Sequence, residues 1–495
     1  MNMTNTGVLI IYTGGTIGSM PSNLEDLNSP LIPCKDLKKL FSFIDAYDDE
    51  KSTMTIDNYS IPIDTYCWET PLDSSNIMHE HWVKICRIIL ENYSKYEGFV
   101  IMHGTDTMAY SASALSFMLE NLQKPVIFTG SQRPLINYRS DAIQNILTSI
   151  LYASPISSKL QIIPEVCIFF GGGLYRGNRS TKISTTAYGA YATPNFAMLG
   201  RAGNTLWINK DVLLKQPMHF LRTHDNIESN VASIDIFPGM SVNLVDNILK
   251  TEGLKACIIK TFGSGNAPST SEFLEVIRAA VLRGIIIMDI TQCWSGEVSL
   301  GRYETSSGLL SCGVISGFDM TMESALAKLF IVIGLGHSIE ESCDILQIDL
   351  RGEQTQSAFN LRYGQGEMLE DSINTISLVR SMTYKQRFHP IDLNYAQLRL
   401  TGVHFLNSDD TEIEFYLDLP DKIEPNKNHG VHYLGTLNHH QEMKKSYETL
   451  ILNISESAKM LIDNRHPHSI TCVIKKGSSF KYDDMRIVLY TNGLR

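Results

Sequence analysis

No two cysteines of this chain stand at Cys-x-x-Cys spacing, and none joins a Cys/His cluster of zinc-ligand spacing. The nine cysteines, an odd number, therefore indicate neither a disulfide framework nor a structural metal, and a reducing compartment fits them best. Long apolar runs are missing too: nothing approaches the roughly 18 residues of a membrane span. The short run Val8 to Tyr12 has no basic residue before it and leads straight into a glycine turn, so it reads as a core strand and not as a signal peptide. Basic surplus is absent. A net charge of −11 argues against a nucleic-acid backbone or an anionic membrane as the main partner. There is no internal repeat and no low-complexity tract. Together these absences point to a cytoplasmic globular protein.

What is present fits that class. With 495 residues, 43% of them hydrophobic and 19% charged, the chain is too long for one ordinary core and is expected to form two or three domains. Over residues 1–205 short β-rich runs alternate with helical patterns, the mark of a largely parallel sheet flanked by helices. The expected strands are Val8 to Tyr12, Phe99 to Met102, Val126 to Phe128 and Val166 to Phe170. After Thr107, the residues Met108, Ala112, Leu115, Leu119 and Leu122 recur at spacings of three and four, which predicts an amphipathic helix capped by Asp106 or Thr107. A second helix is expected from Asp141, its cap, to about Tyr152. Residues 206–250 read as a connector with irregular structure. A smaller α/β unit follows over 251–365, with strands at Ala256 to Thr261, Ile285 to Ile290 and Val314 to Ile315, and helices near Ser271 to Leu282 and Met322 to Leu335. Residues 370–495 show short alternating runs between Asn/Asp/Gly/Pro-rich turns, a β-rich pattern suggestive of a sandwich.

Chemistry is most legible where hydroxyl turns follow buried strands. Thr13-Gly14-Gly15-Thr16-Ile17-Gly18 follows the first strand, and His103-Gly104-Thr105-Asp106-Thr107 follows the second. Ligands of open α/β sheets collect beyond the carboxyl ends of strands, so two such turns define one plausible site. A threonine hydroxyl is a poor nucleophile until a base takes its proton, and a shielded lysine such as Lys182 is able to serve as that base. Asp106 is placed to stabilise the lysine or to hold the ammonium group of a substrate. Asp73-Ser74 adds a carboxylate-hydroxyl pair. Taken singly, each has an ordinary structural reading: Thr16 in a tight turn, Thr105 and Asp106 as helix caps, Lys182 on the surface, Asp73-Ser74 in a turn.

Taken together, Gly14-Gly15-Thr16-Ile17, His103 to Tyr110, Thr129-Gly130-Ser131-Gln132, Tyr175 to Lys182 and Phe262 to Pro268 resemble the bacterial-type L-asparaginases in order and spacing. Ser116 to Leu122 and Gly317-Phe318-Asp319-Met320 point to the cytoplasmic, type I branch, and the resemblance covers roughly residues 7–355. It implies a two-domain α/β fold of mostly parallel sheets, to which the β-rich pattern of residues 370–495 adds a C-terminal extension. It also implies hydrolysis of L-asparagine to L-aspartate and ammonia through a threonine acyl-enzyme. Thr16 matches the nucleophile, and Thr105, Lys182 and Asp106 match the relay. Asp73 and Ser74 match the residues that hold the substrate's α-amino and α-carboxylate groups. No metal and no organic cofactor is implied.

The match has departures. Where bacterial members carry a tyrosine on the loop after the first threonine, this chain has Leu31, and Tyr303 is the candidate to supply the phenol from the second domain. Ala142 stands where glycine is usual. Family members form homodimers or homotetramers, and Asn266 is the residue expected to reach a neighbouring subunit's pocket. Lys260 and Cys293 lie near where a regulatory asparagine site would fall, although Lys260 does not reproduce the arginine of regulated bacterial enzymes. Two other readings stay open: a non-catalytic binding or scaffolding protein with a degenerate core, and the subunit of a tRNA-dependent amidotransferase. That subunit normally carries an additional N-terminal domain, whereas here the first threonine turn begins at residue 13.

Overall fold

The apolar run at the start of the chain enters the centre of a sheet. In the computed structural model, which describes residues 7–23, 29–301, 304–370, 372–379, 393–407, 410–420, 424–425, 432–439, 448–455 and 469–492, strand Val8–Gly14 is buried at every position. It pairs in parallel with Tyr59–Leu72 on one side and Gly98–Met102 on the other. Val8, Ile10 and Tyr12 enter one core layer, and Leu9 and Ile11 enter the opposite one. Burial on both faces is why the run is continuous and not alternating. Among the described residues this sheet has ten strands. Val126–Thr129 and Val166–Phe170 continue the parallel centre. Antiparallel strands Gly173–Arg176, Gly200–Ala202 and Leu206–Ile208 close one edge, and Thr53–Ile56 and Tyr47–Asp48 close the other.

Helix Met108–Met118 departs from the expected pattern. It is buried on all sides apart from Tyr110, including Ser111, Ser113 and Ser116, because it lies between the large sheet and helix Met322–Gly334. A helix covered on both faces needs no polar stripe. Leu119 lies past its end in the short strand Leu119–Glu120, with Leu122 beyond. Neither expected cap acts as one. Thr107 occupies the cap position without capping, and its hydroxyl donates instead to the Ser74 carbonyl at 2.7 Å. Asp141 precedes helix Ala142–Ala153, yet its carboxylate accepts from the Gln132 and Arg133 amides at 3.1 to 3.2 Å. Both side chains are engaged outside their helices, Thr107 by the distant Ser74 turn and Asp141 by the loop just before it, and these contacts outcompete the cap.

Residues 206–250 hold more regular structure than a connector. They supply the edge strand Leu206–Ile208, strand Val231–Asp235 and helix Val242–Leu249. Val231–Asp235 begins a second sheet, all parallel, continued by Ala256–Thr261, Ile286–Thr291 and Ile315–Ser316. Helix Ser271–Leu282 is capped by Thr270, whose hydroxyl accepts from the Phe273 amide at 3.4 Å. Thr321 caps Met322–Gly334 in the same way. From Gln356 onward the described residues form two antiparallel four-stranded sheets packed face to face. One contains Gln356–Met368, Phe480–Asn492, Leu393–Phe405 and Glu448–Asn453. The other contains Ile373–Ser377, Ser469–Lys476, Thr411–Leu417 and Tyr433–His439. Alternate residues such as Leu398, Leu400, Phe415, Ile470 and Ile487 fill the layer between them.

The first two units are stapled through Arg176-Gly177-Asn178-Arg179. Arg176 pairs with Glu165 at 2.5 Å, Arg179 pairs with Asp319 at 2.8 Å, and both guanidinium groups donate to the Gly352 carbonyl. Every member of these pairs is almost fully buried. The segment Arg176 to Arg179 is thus a structural joint, and Lys182 lies just beyond it.

Candidate active site

Three chain turns interlock at the carboxyl end of the central strands, and glycines make this possible. Gly14 and Gly15 have φ of 132° and 86°, in the region that side chains disfavour. A Cβ on Gly14 would come within 2.0 Å of the Leu72 carbonyl, and one on Gly15 within 2.4 Å of Gly104 Cα. Gly104 in turn lies against Ser74, whose Oγ would stand 2.6 Å from any Cβ there. Gly15 N donates to Leu72 O at 3.1 Å. The Ser74 hydroxyl accepts from the Asp106 amide at 3.2 Å. The threonine turns and the Asp73-Ser74 turn therefore form one constellation.

Thr16 opens a short helical turn, Thr16–Gly18, and is exposed at the surface. Thr105 is half-buried. Lys182 Nζ donates to Thr105 Oγ1 at 2.8 Å and to Asp106 Oδ1 at 2.7 Å. The lysine side chain is 16% exposed and its aspartate partner 66% exposed, so the ammonium group is sheltered while the carboxylate faces outward. Asp73 is exposed and accepts from the Ser75 amide at 2.8 Å and hydroxyl at 2.6 Å. Those two bonds hold its carboxyl below the usual range, with burial opposing them.

Sequence reasoning missed the groups that hold this arrangement. Lys182 sits on the two-stranded ribbon Thr181–Lys182 and Tyr191–Ala192. The Tyr191 hydroxyl donates to the Thr105 carbonyl. Thr181 donates to Glu323 Oε1 at 2.6 Å, so the second unit orients the residue beside the lysine. Burial raises the Glu323 carboxyl, and the Thr181 hydroxyl partly offsets that rise. His103 is buried completely. Its Nδ1 donates to Gly104 O at 2.6 Å, and Nε2 accepts from Ser111 Oγ, which accepts from Trp82 Nε1 at 2.9 Å. Burial brings its pKa down to about 4 against the weaker opposing effect of the Gly104 carbonyl, and so favours the neutral ring with this pattern of donors. No periodicity announces Tyr191 or Glu323. His103 was visible only as a neighbour of Thr105.

The remaining candidates lie apart. Asn266 closes the turn Phe262–Asn266 after strand Ala256–Thr261, in the second unit. Leu31 is half exposed on a short strand that pairs with Pro21. Tyr303 lies outside the described residues. Lys260 pairs with Asp235 at 3.2 Å, and Cys293 is exposed. Among the described residues no group of three or more His, Cys, Asp or Glu side chains is arranged to hold a metal ion. No helix among them is long and apolar enough to cross a membrane.

The molecule thus carries paired threonine turns and a sheltered lysine on the first of two α/β units, the architecture of a family of hydrolases. Residues 7–214 match the asparaginase N-terminal domain, and residues 230–346 match the glutaminase/asparaginase C-terminal domain. L-asparaginase 1 of Escherichia coli K12 is 38% identical over 356 residues, 71% of this chain and 99% of that one. The 60 kDa lysophospholipase of Mus musculus is 37% identical over 377 residues, 72% of this chain and 64% of the relative, so this chain matches just under two thirds of that mammalian protein. The crystal structure of L-asparaginase I from Vibrio cholerae superposes with a TM-score of 0.62 at 37% identity, covering 71% of this chain and all of that one. The chain belongs to the asparaginase family. Both family matches end before Gln356, where the sandwich begins.

Proposed function

We propose that this protein is an L-asparaginase that acts through a threonine acyl-enzyme. The observation that carries the reading is the Lys182–Thr105 hydrogen bond of 2.8 Å within a turn that packs directly on the Thr16 turn. In this reading Thr16 Oγ attacks the side-chain carbonyl carbon of asparagine as its proton passes to a neighbouring base. The oxyanion collapses, ammonia departs with a proton, and the aspartyl ester remains on Thr16. Water, deprotonated through Thr105 and Lys182, attacks the ester and releases aspartate. Backbone amides of the glycine-flanked turns are suited to meet the oxyanion, each such donor contributing about 3 kcal/mol. Asp73 and Asp106 present carboxylates to the substrate's ammonium group, Ser74 accompanies them, and this charge recognition orients the amide.

Homo-oligomerisation and a cytoplasmic setting belong to the same proposal. All nine cysteines are unpaired, which suits a reducing compartment. Asn266 is half-buried in the turn after Ala256–Thr261 and would complete a neighbouring subunit's pocket, and Tyr303 would supply the phenol that Leu31 lacks. Purified protein should release ammonia from millimolar L-asparagine, and Thr16→Ala should abolish release. No release by the unmodified protein would instead favour the binding-module reading. If Thr105→Ala alone prevented acyl-enzyme formation, the roles of the two threonines would be exchanged.

A further inference from the structure

The C-terminal sandwich lies outside both family matches, yet it touches the rest of the molecule at a particular place. Strand Gln356–Met368 docks on helix Ile339–Leu346, where Arg362 pairs with Glu340 and Asp344 at 2.8 Å and Asn360 donates to Asp344 at 2.7 Å. A second set of contacts converges on the strap Gly296–Gly301. Gln356 Nε2 donates to Glu297 Oε2 at 3.1 Å. A Cβ at Gly301 would stand 3.0 Å from Ile451 Cδ1 of the sandwich. Tyr395 and Tyr490 stack at 4.1 Å, and Tyr490 meets Phe318 edge-on. The Phe318 carbonyl accepts from the Val298 amide at 3.0 Å.

The strap connects three ways. Gly296 exchanges hydrogen bonds with the Asn195 side chain of the first unit, at 2.8 and 3.1 Å. The Ser299 amide donates to the Ser264 carbonyl at 3.0 Å, in the turn that carries Asn266. The sandwich holds the same strap from behind through Gln356, Ile451 and the Tyr490–Phe318 contact. A short segment without its own regular structure is thus fixed between the threonine-bearing unit, the Asn266 turn and an added domain.

We propose that the sandwich positions the active site by bracing the strap Gly296–Gly301, with Gln356 as a positioning residue that acts through Glu297. The brace sets the placement of the Asn266 turn relative to the first unit, and it touches neither Thr105 nor Lys182. Its effect on activity rests on the asparaginase reading above. Loss of the brace is therefore expected to weaken substrate binding and leave the chemical step largely intact.

The test uses the full chain. Gln356→Glu sets two carboxylates against each other and should raise KM for L-asparagine about fivefold with kcat within about twofold. Exchange of the Ser299 amide with deuterium should quicken on the order of tenfold. Combining Gln356→Glu with Glu297→Gln restores a donor and an acceptor, and should return both readouts toward the unmodified protein. Ile451→Ala, which removes apolar packing instead of a polar contact, should shift the same two readouts. Unchanged KM in Gln356→Glu, whether or not exchange quickens, would overturn the proposal, as would failure of the swapped pair to rescue. If the unmodified protein released no ammonia, the asparaginase reading would fall by itself. The brace would then be judged on Ser299 exchange alone, and unchanged exchange in Gln356→Glu would overturn it.

Discussion

Gly15 and Gly104 meet backbone to backbone, so closely that a side chain on Gly15 would overlap Gly104 Cα at 2.4 Å. This contact joins two turns that lie almost ninety residues apart, and it sets the spacing between the two threonines.

Gly15→Ala must therefore push the turns apart, in addition to straining a backbone at φ 86°. Expected is a fall in kcat/KM of about a hundredfold or more, since small misplacements of reacting groups cost that much. Gly189→Ala, where a Cβ meets nothing within 4 Å, is the matched control and should leave activity unchanged. Initial rates of ammonia release decide between them.

Lys182→Met removes the group that bonds Thr105 and Asp106. Loss of a general base is expected to lower kcat by about a thousandfold with little effect on KM. Lys182→Arg should fail to rescue, because a guanidinium does not give up its proton near neutral pH. The unfolding midpoint should barely move, since the partner carboxylate is 66% exposed and surface pairs contribute little. A loss of folded protein in Lys182→Met would contradict this assignment.

His103 predicts how stability responds to acid. Its folded pKa of about 4 lies below the ordinary value of 6.5, so between those values the unfolded chain binds a proton that the native state excludes. Stability is unaffected above pH 6.5 and declines as pH falls from 6.5 toward 4, by about 3 kcal/mol in total. Urea denaturation across that range should show the decline, and His103→Gln should flatten it.

Asp289 works in the opposite sense. It is fully buried in strand Ile286–Thr291, where Oδ1 accepts from Thr261 at 2.7 Å and Oδ2 has no hydrogen-bond partner. Burial pushes its pKa up to about 8, with Thr261 opposing. The native state then keeps a proton that the unfolded chain loses above about pH 4, so this residue subtracts stability as pH rises from 4 to 8. Asp289→Asn should raise stability at pH 8, by up to about 5 kcal/mol, and give no gain at pH 4. Thermal unfolding at the two pH values measures the difference.

Much of the site was legible in the chain because its chemistry lies in short turns. Gly14-Gly15-Thr16, Gly104-Thr105-Asp106 and Thr181-Lys182 are contiguous segments, and the first two follow strands that hydrophobic runs announce. The supports were not legible. Tyr191 reaches Thr105, Glu323 reaches Thr181, and Thr107 leaves its helix to bond Ser74, each across tens of residues. Local propensity carries no trace of such contacts. The caps expected of Thr107 and Asp141 failed because a hydroxyl or carboxylate has limited bonding capacity, and backbone groups outside the helix, at Ser74 and at Gln132 and Arg133, took it.

The sequence alone determined the alternation of strands and helices, the buried centre of the first sheet and the residue types that asparaginase chemistry requires, because these follow from periodicity and from side-chain chemistry along a contiguous chain. Tertiary structure alone decided that the two threonine turns touch through Gly15 and Gly104, that Arg176 to Arg179 serve as a joint, and that the sandwich grips Gly296–Gly301. Those outcomes depend on which distant surfaces exclude water from one another. Packing of that kind is a property of the folded whole.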